Sequence, residues 1–303
     1  MSISKSTELK LGIFLSYAGM ILSTLSNFLY IPLFIKVLGQ ENYGVYGLVN
    51  STIGYFTIID FGFGNAIIRY TAKYNAEKRF DELSSLYGLF TIVFGVIAVI
   101  AFLLGAIFAL IAPYLFSKSL SVTLLQEFRI CLMVSSLNLA FSFLLGRFNY
   151  ILIGNQHFIY TKLMTVLRPI LLCTGYFLFL LKGYKLKSIY LITLCVNLVI
   201  YFVDFVVFKK RIHIKFSFKN LDFALLKNIL YYSFWVFLGN IVTQLWWSSG
   251  QILLGIYAST FEIALYTLAM QLRTVFQSLS VSCNSILLPK ITDMSVSNSK
   301  NVY

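Results

Sequence analysis

The feature that most restricts this chain is a series of eight apolar blocks, each 21–30 residues long. They lie near 11–38, 43–68, 86–113, 124–153, 161–181, 188–208, 229–256 and 262–288. At about 1.5 Å per residue, a helix of this length crosses the ~30 Å hydrocarbon core of a bilayer. Only 12% of the residues are charged and 59% are hydrophobic, against about 25% charged in soluble domains. A chain of 303 residues can bury a large core in water, but it cannot hide this much apolar surface, so the excess faces lipid. The expected fold is all-α, a polytopic transmembrane bundle of about eight spans. The polar N-terminus runs directly into a 28-residue block, too long for the apolar region of a signal peptide, and is expected to remain as the first span. Pro32 within it is expected to bend that helix.

The formal net charge of +13 raises the question of nucleic acid, yet the basic residues sit mostly in short gaps between apolar blocks. No aromatic-basic RNA-binding motif accompanies them, so no nucleic-acid partner is expected. With the N-terminus in the cytoplasm, 16 Lys and Arg fall on the cytoplasmic side and 6 on the other, while Arg168 and Arg273 lie inside spans. This bias predicts cytoplasmic N- and C-termini. The longest polar stretch, Lys209 to Lys227, mixes basic and apolar positions, and reads either as a segment lying on an anionic leaflet or as a plain positive-inside loop. It divides the chain into a first lobe of six helices (1–208), a basic cytoplasmic linker (209–228) and the start of a second lobe with two helices and a tail (229–303).

An internal repeat supports that division. Ser16-Tyr17, Leu38-Gly39 and Tyr43-Gly44-Val45-Tyr46 in the first two spans recur in order as Tyr232-Ser233, Leu254-Gly255 and Ile263-Ala264-Leu265-Tyr266. The Leu-Gly pairs are read as span ends, where glycine caps helices. Paired halves are a common transporter plan. Three further segments carry a family resemblance: Val37-Leu38-Gly39 with Asn42-Tyr43-Gly44-Val45-Tyr46, Asp60-Phe61-Gly62-Phe63-Gly64 with Ala66-Ile67-Ile68-Arg69-Tyr70, and Gln251-Ile252-Leu253-Leu254-Gly255. On these the chain resembles the Wzx-type polysaccharide and oligosaccharide flippases of the MOP (MATE-like) exporter superfamily, over essentially its whole length.

The resemblance implies two six-helix lobes around a central cavity in a bacterial cytoplasmic membrane. It also implies transport of undecaprenyl-pyrophosphate-linked repeat units for surface polysaccharide synthesis, with membrane lipids, a polymerase and glycosyltransferases as partners. Two departures stand out. Similar proteins have more spans than the eight read here, which a fragment or a truncated product would explain, and Gly250 precedes Gln251 where relatives often carry an Asp. Alternatives are a cation-coupled exporter of the multidrug type and an inactive remnant or scaffold.

Catalytic patterns are missing: no hydrolytic triad, HExxH, P-loop or paired-carboxylate site is visible, so no enzyme activity, cofactor or metal is expected. Cys131, Cys173, Cys195 and Cys283 lie apart inside apolar blocks and read as small core residues, and His157 and His213 as surface histidines. Ionisable groups inside the membrane remain, at about 2.5–3.5 kcal/mol each near a span centre. Arg273 in span eight and Arg168 before Pro169 in span five are expected to face the central cavity and pair with a lipid-linked pyrophosphate. Packing against carbonyls or acids is the plainer reading of both. Arg147 reads as a headgroup guide or a positive-inside anchor. Asp60 and Asp204 could accept protons in a transport cycle or pair with Arg69 and Lys209 respectively. Asn240 and Gln244, with Asn27, Asn138 and Asn197, could bind sugar hydroxyls, although interhelical hydrogen bonding is the commoner use. Trp246 and Trp247 could stack on a sugar or simply pack.

Overall fold

A computed structural model of the protein describes residues 5–214, 216–219, 221–274 and 276–277. Among these residues the chain is helical with no strands: α1 (Lys5–Leu38), α2 (Gln40–Thr57), α3 (Phe63–Ala76), α4 (Phe80–Phe116), α5 (Val122–Gly154), α6 (Phe158–Leu181), α7 (Leu186–Arg211) and α8 (Phe223–Tyr257). A further helix, α9, is described over 260–274. Cys283 and the last part of the expected eighth span lie outside the described residues.

Six helices, α1 and α4–α8, are long and apolar enough to cross a membrane. The expected all-α multispan bundle is therefore what forms. The surface is apolar as well as the core, unlike that of a soluble protein: Val96, Val99, Leu103, Ile107 and Leu110 make an exposed apolar stripe along α4, at the three- and four-residue spacing of one helix face. The 37 residues of α4 span about 55 Å, well beyond the hydrocarbon core. Its excess carries Asp81 and Glu82 in the first turn. Successive helices run up and down, so α3 ends, α4 starts and α5 ends at one face, where Asn155 joins Asn75 and Tyr87 through its side chain. This is termed the N-terminal face. Small residues let backbones approach where packing must replace the hydrophobic effect; a Cβ on Gly105 of α4 would strike Ser136 of α5.

The buried apolar residues form two clusters. One, nearer the far face, centres on Phe34, Tyr43, Leu48, Phe116, Phe128 and Tyr190. The other, nearer the N-terminal face, gathers Tyr87, Phe90, Phe94, Phe148, Ile151 and Phe208.

Span two departs from the expected single helix over 43–68. It breaks into α2 and α3 at a short 3-10 turn, Ile58–Asp60, followed by two left-handed residues, Phe61 (φ 51°) and Gly62 (φ 72°). Glycine takes that conformation without penalty, whereas a residue with a Cβ gives up about 1–2 kcal/mol. Phe61 is held there by stacking on Phe237 of α8, with ring centroids 4.2 Å apart and planes 12° from parallel. Broken helices are tolerated in membranes where protein covers them.

Two other expectations change. Leu254-Gly255 does not end a helix; α8 continues to Tyr257, and Gly255 is buried against Leu48 and Phe116. Close packing, not capping, accounts for that glycine. The segment after α7 lies on protein rather than on a leaflet. Ile212 is buried, Ile214 packs on the same cluster, Phe216 contacts Tyr87, Phe148 and Phe208, and Ser217 N–H donates to the Ser84 carbonyl at 3.1 Å. Alternate residues turn inward, as in a half-buried extended strand, leaving Arg211, His213 and Lys219 exposed.

Candidate functional site

Polar side chains inside a membrane bundle either bond to one another or line cavities, and those of α2, α5, α6 and α7 do both. On α5, Ser135, Asn138 and Ser142 recur at helical spacing; on α7, Thr193, Asn197 and Tyr201 do the same. With Tyr46 and Asn50 of α2 and Arg168 and Tyr176 of α6, they line a cavity of about 420 Å³. Its wall is already knit together. Asn197 Nδ2 donates to Asn138 Oδ1 at 2.9 Å, the Tyr176 and Thr193 hydroxyls share a 2.7 Å bond, and Tyr190 donates to the Tyr46 carbonyl at 3.1 Å. Arg168 is the one charged residue in this lining, and among the described residues it forms no ion pair. The cavity thus offers hydroxyls, amides, aromatic rings and one cation, with no carboxylate.

Of the residues expected to bind substrate, Arg168, Asn138 and Asn197 line this cavity, the two asparagines also making the interhelical bond that is their commoner use. Tyr46 belongs to the repeated Tyr43-Gly44-Val45-Tyr46 segment without a binding role there, and Asn50, Ser135, Ser142 and Tyr201 extend polar stripes within apolar helices that are legible at a period of three to four residues.

Gln244 and Arg273 belong instead to a seam between α2, α8 and α9. Ser51 Oγ donates to Gln251 Oε1 at 2.7 Å, Gln251 Nε2 donates to Thr267 Oγ1, and the Thr267 hydroxyl donates to the Ile263 carbonyl at 2.7 Å. Glycines admit this close approach: a Cβ on Gly47 would strike Thr267 and Gln251, and one on Gly44 would strike the Thr260 carbonyl. Gln244 faces Gly54 and donates to Ser248. Arg273 stacks on the Trp247 ring and donates to Met270 Sδ at 3.7 Å, while its Nη2 is buried without a hydrogen-bond partner. Asn240 and Trp246 are exposed on α8, away from the cavity.

Neither carboxylate makes the ion pair considered for it. Asp204, only 1% exposed, accepts hydrogen bonds from Tyr160 Oη of α6 at 2.6 Å and from Asn149 Nδ2 of α5 at 3.4 Å. Lys209 is exposed. Asp60 sits at the break in span two with Oδ1 buried and without a hydrogen-bond partner, and Arg69 lies beside Tyr70. Arg147 is buried rather than at a headgroup surface. Its guanidinium lies 4.8 Å from the Phe148 ring centroid, Nη1 donates to the Leu144 carbonyl, and Nε has no hydrogen-bond partner.

Comparison with known proteins follows this geometry. A family profile described as "Polysaccharide biosynthesis protein" matches residues 9–295. None of the curated proteins compared matches the sequence. Two solved structures are similar in fold: one named protein A, at TM-score 0.70 and 15% identity, and the MATE multidrug transporter DinF-BH, at TM-score 0.69 and 16% identity. Each likeness covers 89% of this chain and 61% of the other, so the chain spans less than two thirds of either. At such identities the likeness concerns architecture alone, a MATE-like bundle of membrane-spanning helices. The profile match is what extends from architecture to family: the chain belongs to the polysaccharide biosynthesis protein family, within the MOP (MATE-like) superfamily.

Proposed function

We propose that this protein, alone or as part of a longer transporter, moves lipid-linked oligosaccharide repeat units across the bacterial cytoplasmic membrane. The units are carried on undecaprenyl pyrophosphate and serve surface polysaccharide synthesis. One observation carries the reading: the cavity between α2, α5, α6 and α7 is lined by hydroxyls and amides with Arg168 as its single charge. Sugar hydroxyls match such walls, and a guanidinium suits an anionic phosphate. A site for cationic drugs would need the opposite charge, which disfavours the multidrug alternative.

In this reading the N-terminal face is cytoplasmic, the chain comprises a lobe (1–208), a linker (209–228) and the start of a second lobe (229–303), and Arg168 holds the phosphate while Asn138 and Asn197 keep the wall in register. Arg273 joins the substrate path only when Trp247 moves aside, with Gln244 and Asn240 on the same helix as that ring. Arg147 stabilises the bundle near the cytoplasmic end, and Asp204 or Asp60 serves as the coupling group.

The test is replacement of Arg168 by Ala and by Lys at the native locus, reading surface polysaccharide and the amount of protein in the membrane. Ala is expected to reduce export at least ~10-fold, the loss of one charge-assisted bond of about 1.5–3 kcal/mol, with Lys retaining part of it. Full export by Arg168→Ala at normal protein level overturns the assignment.

A further inference from the structure

A second cavity, of about 660 Å³, opens at the N-terminal face between the α5–α6 turn and the end of α7. Its lining is ordered by depth. Gln156, His157 and Arg211 stand at the mouth with Phe158 beside them. Tyr160 lies deeper with its hydroxyl bound to Asp204, and Val207, one helical turn inward from Arg211, and Leu163, more than one turn inward from His157, line the wall toward the membrane. A helical turn of four residues advances about 6 Å, so polar and apolar zones are stacked along the bilayer normal.

The mouth is preorganised. Gln156 takes a left-handed conformation (φ 63°), fixed by Gln156 N–H to the Ile153 carbonyl at 2.9 Å and His157 N–H to the Leu152 carbonyl at 3.0 Å. Its charge is uncompensated: no carboxylate lines this cavity, Arg211 forms no ion pair among the described residues, and Lys209 and Lys210 are exposed in the same last turn of α7. The nearest buried acid along α7, Asp204, is already occupied by Tyr160 and Asn149.

The geometry points to a binding site for an anionic phospholipid, with the phosphate at Arg211 and the first acyl carbons against Val207 and Leu163. A soluble anion satisfies the mouth but leaves the apolar wall wet; a zwitterionic lipid covers the wall but adds a cation beside Arg211. Only an anionic lipid answers both zones. The site is separate from the Arg168 cavity, and the inference does not rest on the transport reading.

The experiment compares the full chain in nanodiscs of phosphatidylcholine with and without phosphatidylglycerol, reading thermal stability and, by native mass spectrometry, retained lipid. Phosphatidylglycerol is expected to stabilise the native chain and remain bound, and Arg211→Gln is expected to weaken its retention about fivefold, one basic residue near a surface contributing about 1 kcal/mol. Lys210→Gln removes the same charge outside the cavity and is expected to preserve retention. Leu163→Trp fills the apolar wall with charge unchanged and is expected to weaken it. Inorganic phosphate at about 10 mM, a large excess for a surface site, is expected to give no stabilisation. Equal losses from Arg211→Gln and Lys210→Gln indicate diffuse attraction and overturn the site. Unchanged retention in either Arg211→Gln or Leu163→Trp also overturns it, and stabilisation by phosphate alone replaces the lipid with a soluble anion.

Discussion

Alanine at position 47 should loosen the bundle. Gly47 lies on the face of α2 that meets Gln251 and Thr267, and an added Cβ there would overlap the side chains of both. A glycine-to-alanine change inside an unobstructed helix is stabilising by roughly 0.5–1 kcal/mol. Overpacking a well-filled site is destabilising by about 1–3 kcal/mol, so the net cost lies between about 0 and 2.5 kcal/mol, and with both neighbours overlapped Gly47→Ala should fall in the upper half of that range. Gly146→Ala is the control, because nothing lies within 4 Å of its added Cβ; it should be neutral or slightly stabilising. Gln251→Ala removes one colliding group and also two hydrogen bonds, each about 0.6 kcal/mol on average in membranes. The Gly47→Ala/Gln251→Ala double variant should therefore be more stable than the sum of its parts by at least ~0.5 kcal/mol, since residues in direct contact are not additive. Reversible unfolding in mixed detergent micelles measures all four variants against the native chain. Additivity within about 0.3 kcal/mol, or equal behaviour of the Gly47 and Gly146 variants, refutes the seam as described.

Two further perturbations test other joints of the fold. Tyr160→Phe removes the 2.6 Å bond to Asp204, leaving a buried carboxylate with Asn149 alone; a stability loss of about 1–3 kcal/mol is expected by the same unfolding measurement. Gly88→Ala places a Cβ against the Ser217 carbonyl, backbone that cannot swing aside, so the segment after α7 should lift from the bundle; trypsin cleavage at Lys219 should accelerate several-fold while cleavage elsewhere is unchanged.

Much of the helical plan was legible because apolar length is a one-dimensional property. The block at 188–208 corresponds to α7 and that at 124–153 to α5 with small shifts at the ends. Breaks were harder. Gly62 and Gly64 fall within a segment read as a family motif, and the left-handed pair at Phe61 and Gly62 depends on a ring supplied by α8, far along the chain. The alternation Ile212, Ile214, Phe216 is present in the sequence, but it is short and interleaved with basic residues, so charge dominates the segment's composition. Ionisable residues show the same limit. The depth of Arg168 and Asp204 followed from position, yet their surroundings did not. Sequence proximity offers Asp204 a partner five residues away at Lys209, whereas Tyr160 and Asn149 come from two other helices. Contact across helices is set by rotation about their axes, which sequence position alone does not give.

The polarity of α2 ties the two polar regions together. It does not count among the helices apolar enough to span a membrane on their own, and the reason is enclosure: it packs against α1, α4, α5 and α8, so little of it needs to satisfy lipid. Freed from that demand, it carries two adjacent stripes. Tyr46, Asn50 and Thr57 face the cavity that holds Arg168; Gly44, Gly47, Ser51 and Gly54 face the seam with α8 and α9. Successive residues are rotated about 100° on a helix, so neighbouring stripes move as one rigid face. A shift or rotation of α2 itself that breaks the Ser51–Gln251 bond also moves Asn50 relative to Arg168. The seam and the cavity are therefore mechanically joined through a single helix, and a substitution at Gly47 should be felt at the cavity wall without touching it.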